Sequence, residues 1–120
     1  MLYNKQIYWP KEIESNVRML LNLDYKTVPT AHYKSKCSKL GIWQSAYRAA
    51  MYGEVIECEA EEDGFVTKII SRQHSKQYPQ FDLVFAIKIE YPIARIKTVW
   101  LNRRDDNHMT INKSKYVMGD

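Results

Sequence analysis

Three histidines and a few cations are the side chains of this sequence best suited to moving a proton or holding a phosphate. His32 stands beside Tyr33 and Lys34 at the start of a helical pattern. The positive helix end and the neighbouring cation favour an uncharged imidazole there, the form a general base needs. Lys68 and Arg72 lie in the stretch Val66-Thr67-Lys68-Ile69-Ile70-Ser71-Arg72. A strand places them on one face roughly 13 Å apart, a separation suited to successive phosphates or to two parts of one nucleotide. The alternative for this pair is an edge strand kept soluble by its charge. Thr98 sits on a later strand pattern with Trp100, Ala94 and Ile96 on its face and Lys97 on the other. His108 follows Arg103-Arg104-Asp105-Asp106-Asn107, where Asp106 could orient its imidazole, and His74 opens a polar loop and reads as solvated.

Other chemistries find little support. Cys37 and Cys58 are isolated, and no CxxC or HxxxH spacing occurs, so neither a metal nor another cofactor is expected and both thiols should be free. Glu54, Glu57 and Glu59 sit in a strand and turn crowded with like charge and read as a solvated acidic edge. There is no glycine-rich phosphate loop and no nucleophile elbow.

Charge is segregated along the chain. The net charge of +4 hides a block from Thr30 to Tyr52 with Lys34, Lys36, Lys39 and Arg48 and no acid. Six acids and no base follow between Gly53 and Gly64, and then Lys68, Arg72 and Lys76 stand without an acid up to Gln80. Cations interleaved with aromatics suit a phosphate-bearing partner, because cations neutralise phosphates and aromatic rings stack on bases. Lys34, Lys36, Lys39, Arg48 and Trp100 are therefore candidate nucleic-acid contacts, against the plainer reading of solvated helix faces and a core tryptophan.

Periodicity supplies the framework that would carry these groups. Pro10, Glu12 and the stripe Ile13, Val17, Leu20, Leu21 predict a helix over 10–23, preceded by a short strand or arm at 2–9. A second helix runs from the N-cap Thr30 to Gly41, and a third from about Trp43 to Tyr52. The period then changes to two, predicting strands over 54–60, 65–73, 81–90 and 93–101, with a turn at 61–64 and a further edge strand at 109–117. The expected architecture is α+β: N-terminal helices packed on one face of a four- to five-stranded antiparallel sheet. A chain of 120 residues suits a single domain over 1–120, divided into an N-terminal arm and helix (1–29) and the helix pair plus sheet (30–117). No apolar run is long enough for a membrane span and the start lacks a signal-peptide core, so a soluble cytoplasmic protein with no membrane partner is expected.

Read in order, the His-containing helix, Lys39-Leu40-Gly41-Ile42, Gly53-Glu54-Val55-Ile56-Glu57 and Phe81-Asp82-Leu83-Val84 resemble a family of small domains. That family looks like a branch of the RelE-like and barnase-like ribonuclease superfamily, which includes the RelE and BrnT toxins. Lys97-Thr98-Val99-Trp100 and Asp106-Asn107-His108-Met109-Thr110 are also similar to segments of small phage proteins. The resemblance spans about residues 30–112. It implies an endoribonuclease of toxin or phage accessory type that cleaves RNA without metal through attack of the 2′-hydroxyl. His32 would be the general base, Lys68 and Arg72 would stabilise the phosphorane, and Thr98 or His108 would assist. It also leaves a non-catalytic alternative, a binding protein engaging RNA or a host or antitoxin-like protein.

Overall fold

The computed structural model describes residues 6–8, 14–61 and 65–105. Their order is β1 (Gln6–Tyr8), α1 (Glu14–Leu21), β2 (Lys26–Pro29), α2 (Ala31–Leu40), a 3₁₀ helix (Gln44–Tyr52), β3 (Glu54–Ala60), β4 (Val66–His74), β5 (Phe81–Glu90) and β6 (Ile93–Arg103). The strands form one sheet in the order β1-β3-β4-β5-β6-β2. The α+β class and the run of antiparallel neighbours from β3 to β6 agree with the sequence reading. The four- or five-stranded, purely antiparallel sheet needs correcting. Six strands are present among the described residues, and β2 pairs parallel with β6. The first 29 residues thus contribute both outer strands as well as a helix. The β2 strand escapes periodicity because it is only four residues long and ends in Pro29. The proposed strand at 109–117 and most of the turn at 61–64 lie outside the described residues.

Local sequence explains how α2 is held. The Thr30 hydroxyl accepts from Tyr33 N–H at 3.1 Å and caps the helix, while also lying 3.1 Å from the carbonyl oxygens of Ile96 and Lys97 on β6. At the other end Gly41 adopts φ +67°, the left-handed conformation glycine takes without a side-chain penalty. Tyr33 is fully buried and stacks on Phe85 of β5, with ring centroids 6.3 Å apart. The 3₁₀ helix is nine residues long, whereas such geometry rarely persists beyond about four. Side chains of β4 hold it in place: the Ser71 hydroxyl donates to Ala50 O at 2.7 Å and Gln73 Nε2 to Ala49 O at 2.9 Å.

The main core lies between the helices and one sheet face. Val17 and Leu20 of α1, Tyr33 and Cys37 of α2 and Ala50 meet Ile69, Leu83, Phe85, Ile87, Ile96 and Val99. Both cysteines are buried and neither forms a disulfide. The opposite face has its own smaller cluster of Ile70, Val84 and Ala86, with Ile56 and Trp100 packed against it.

One irregularity changes what β6 presents. Register runs Val84↔Trp100 and Ala86↔Thr98, then jumps to Ile87↔Ile96, leaving Lys97 as an extra residue. A bulge of one residue reverses which side chains face which way. Thr98 and Trp100 therefore do not share a face with Ala94 and Ile96, as strict alternation predicts. They point with Val84 and Ala86 to the face opposite the helices.

Candidate functional site

The end of β4 and the start of β5 bring His74 directly opposite Asp82. The Asp82 side chain is 5% exposed and receives three donors. Arg72 Nε lies 2.6 Å from Oδ2, His74 Nδ1 2.7 Å from Oδ1 and Arg104 Nε 3.3 Å from Oδ1. Burial pushes the Asp82 carboxyl upward, but hydrogen bonds from His74 and Arg72, reinforced by their charge, outweigh burial and hold it below the usual carboxylate range. An ionised carboxylate can only accept, so Nδ1 of His74 carries a proton, and in the neutral ring Nε2 is the acceptor atom. The His74 side chain is 72% exposed, which puts that atom within reach of a ligand.

The cations divide into two roles. Arg72 is only 10% exposed, and its Nη2 donates to the carbonyls of Arg103 (3.2 Å) and Arg104 (3.4 Å). It ties Asp82 to the end of β6. Arg104 is 39% exposed and borders an open cleft of about 630 Å³ lined also by Pro79, Gln80, Phe81, Arg103 and Asp105. With Asp82 ionised, Arg72 and Arg104 leave the cluster one positive charge before His74 is counted.

The loop between β4 and β5 is fixed by its own polar residues. Ser75 N–H donates to Phe81 O, Tyr78 N–H to the buried Ser75 hydroxyl and Phe81 N–H to Tyr78 O. Gln77 Nε2 and the Tyr78 hydroxyl both donate to Gly41 O at 2.7 Å, and Trp43 N–H donates to Gln77 Oε1 at 2.9 Å. Arg104 N–H donates to Gln80 O at 2.9 Å, which brings the turn after β6 beside the loop. The loop next to His74 is thus tied to the C-terminal end of α2 and to the end of β6.

The residues expected to form one catalytic set are not brought together. His32 is exposed on α2, on the Phe85 side of the sheet, whereas Lys68, Arg72 and Thr98 belong to the opposite face. A base at His32 acting with Lys68 is therefore withdrawn: the sheet separates them. Lys68 lies three side-chain rows from His74, about 20 Å along the strand. Thr98 lies two strands across and one row along from Arg72, roughly 12 Å away. Only Arg72 belongs to the cluster, and it acts there mainly as a tether. His108 lies outside the described residues. Lys34, Lys36, Lys39 and Arg48 belong to α2 and the 3₁₀ helix on the other side of the sheet, and Trp100 packs on Val84 and Ala86.

Sequence reasoning misses Asp82 and Arg104 as site residues and reads His74 as merely solvated. A signal for the pair does exist. When two alternating segments are joined by a polar loop, the residues bounding it face each other, and His74 and Asp82 bound such a loop. Arg104 has no such signal, because its approach depends on the length of β6 with its bulge.

Among the described residues no group of three His, Cys, Asp or Glu side chains is placed to hold a metal ion, and no helix is long and apolar enough to cross a membrane. Comparison with protein-family models, with curated proteins and with solved structures returns no match.

Proposed function

We propose that this protein is a phosphodiester-cleaving, RNase-like domain of toxin or phage accessory type whose proton-transfer group is His74 rather than His32. The observation that carries this reading is the 2.7 Å contact between His74 Nδ1 and the buried Asp82 carboxylate, with Arg104 beside it on an open cleft. A carboxylate-held imidazole has one nitrogen fixed as donor and the other ready to take a proton, which general base catalysis requires. His74 Nε2 takes the proton of a ribose 2′-hydroxyl, and the freed oxygen attacks the adjacent phosphorus. The Arg104 guanidinium faces the charge that builds on the phosphoryl oxygens. The bond to the 5′-oxygen breaks, that oxygen receives the proton back from His74, and a 2′,3′-cyclic phosphate remains. The step balances with one imidazole and no further reactant.

The resemblance to RelE-like and barnase-like domains supports the same chemistry, with the corrected residues in place of those it implied. The test is incubation of the purified protein with single-stranded RNA in excess chelator, with products resolved by end group. Cleavage leaving cyclic phosphate ends, lost in His74→Ala and strongly reduced in Arg104→Ala but retained in His32→Ala, is the expected result. No cleavage by the wild type, or cleavage that survives His74→Ala, overturns the reading.

A second reading, a non-catalytic protein that binds a host or antitoxin-like protein, is favoured by one feature. Met19, Leu23, Phe65 and Tyr91 are exposed around an apolar cleft of about 320 Å³ at the opposite end of β4 from His74. Retention of a nuclease-resistant protein partner together with absence of RNA cleavage would favour it.

A further inference from the structure

Three cations stand in one row across the inner strands of the sheet. Lys68 of β4 is directly opposite Lys88 of β5, and Lys88 is directly opposite Arg95 of β6. Cross-strand partners share a face, so the row lies on the face that carries Arg72 and His74. Like charges in directly opposed positions are destabilising. Edge protection does not explain them, because β4, β5 and β6 are all internal to the sheet.

Local acids offset the row only in part. Glu59 lies 3.9 Å from Lys68, and Glu90 accepts from Arg95 Nε at 2.6 Å. Lys97, the extra residue of the bulge, is exposed nearby and its charge also acts on Glu90, together with those of Lys88 and Arg95. Four cations against these two carboxylates leave the row positive, while Glu57 of β3 stands on the same face one row nearer His74. Between the row and the His74 site lie two side-chain rows: Ile70, Ala86 and Thr98 with Glu57 of β3 beside them, then Arg72, Val84 and Trp100 with Glu54 of β3 beside them. The two positive ends are about 20 Å apart along the strands.

We infer that the row Lys68, Lys88 and Arg95 is a second phosphate-binding patch, which holds the backbone of the same single-stranded RNA several nucleotides from the bond at His74. This inference rests on the cleavage reading for the identity of its ligand. The strand runs along β4 and β5 and passes Trp100, a half-buried residue between the two patches. A row of mutually repelling cations retained on inner strands is what a polyanion track requires, and the cost in stability is the counterpart of that role.

The test uses the full chain and a 2′-O-methyl RNA oligonucleotide, which cannot be cleaved, so binding is read without turnover. Affinity is measured by fluorescence anisotropy over a salt series for the wild type, Lys88→Glu and Lys68→Ala. The expected result is several-fold weaker binding in each variant, and a fall in the slope of log affinity against log salt of about 0.7 for each phosphate no longer neutralised. Lys88→Glu places an acid between Lys68 and Arg95, so its thermal midpoint is expected to equal or exceed that of the wild type, and weak binding cannot then be laid to misfolding. Wild-type affinity and slope in both variants overturn the track, even if RNA is cleaved. The track is overturned equally if the wild type shows no salt-sensitive binding. Loss of binding in the variants, with no RNA cleavage by the wild type, supports the track and overturns only the catalytic reading.

Discussion

The carboxylate of Asp82 lies 2.7 Å from Nδ1 of His74, directly across the β4–β5 pair, and is itself almost wholly buried. The imidazole is therefore oriented by a group that is anchored independently through Arg72. Asp82→Asn should weaken proton transfer at His74 by altering the tautomer, while His74→Ala should leave the Arg72–Asp82 pair intact. Removing the carboxylate altogether, as in Asp82→Ala, takes the balancing charge from the buried Arg72 guanidinium and is expected to cost about 3–5 kcal/mol. Urea unfolding of the variants beside His74→Ala measures the difference, and equal stability would show that the pair is not a tether.

Asp82 also sets a pH signature. Its folded-state carboxyl is held below the usual range, so its contribution to stability is fully present above the unfolded-state value of about 3.9 and is lost as pH falls through the lower folded value. The stability gap between the wild type and Asp82→Asn should thus be constant from neutrality down to about pH 5 and shrink below about pH 4. Unfolding curves collected across that range check the sign. A gap that widens on acidification would contradict the assignment.

Gly41 should resist substitution for two separate reasons. Its φ of +67° penalises any side chain, and an added Cβ would sit 3.0 Å from the Tyr78 hydroxyl that bonds Gly41 O. Gly41→Ala is expected to destabilise by about 1–2 kcal/mol and to loosen the loop beside His74. Thermal unfolding and hydrogen exchange at residues 75–80 read the two effects.

The Thr30 hydroxyl serves both α2 and β6. Thr30→Ala should cost about 1 kcal/mol or somewhat more, since it removes a helix cap and the bond to the Ile96 and Lys97 carbonyls. Thr30→Ser keeps the oxygen and should recover most of that stability in equilibrium unfolding.

Lys97 is the extra residue of the β6 bulge. Lys97→Ala, at an exposed position, should be near neutral for stability. Deletion of the residue makes Ile96 and Thr98 consecutive, in step with Ile87 and Ala86, so Val99 and Leu101 still face the core. Cooperative thermal unfolding is the expected outcome in both variants, and its loss on deletion would show that the fold needs the bulge.

Features that depend on near neighbours in the chain are legible in the amino-acid order. Thr30 and Gly41 bound α2 because a hydroxyl at the N-cap and a left-handed residue at the far end are local requirements, and the alternation from Phe81 to Glu90 marks β5 because half of a strand's residues must face a core. The charge blocks are equally plain there. Everything that depends on pairing between distant segments is not. The sheet separates His32 from Lys68, and the β4–β5 register pairs His74 with Asp82. A single extra residue at Lys97 turns Thr98 and Trp100 onto the face of Arg72. A strand's period of two leaves no local mark where it slips by one, and the face that each residue occupies is set by pairing with strands distant in sequence. Chain order thus dictates the elements and the supply of cations. Which histidine meets a carboxylate, and which cations stand together, is settled by the packing of the sheet.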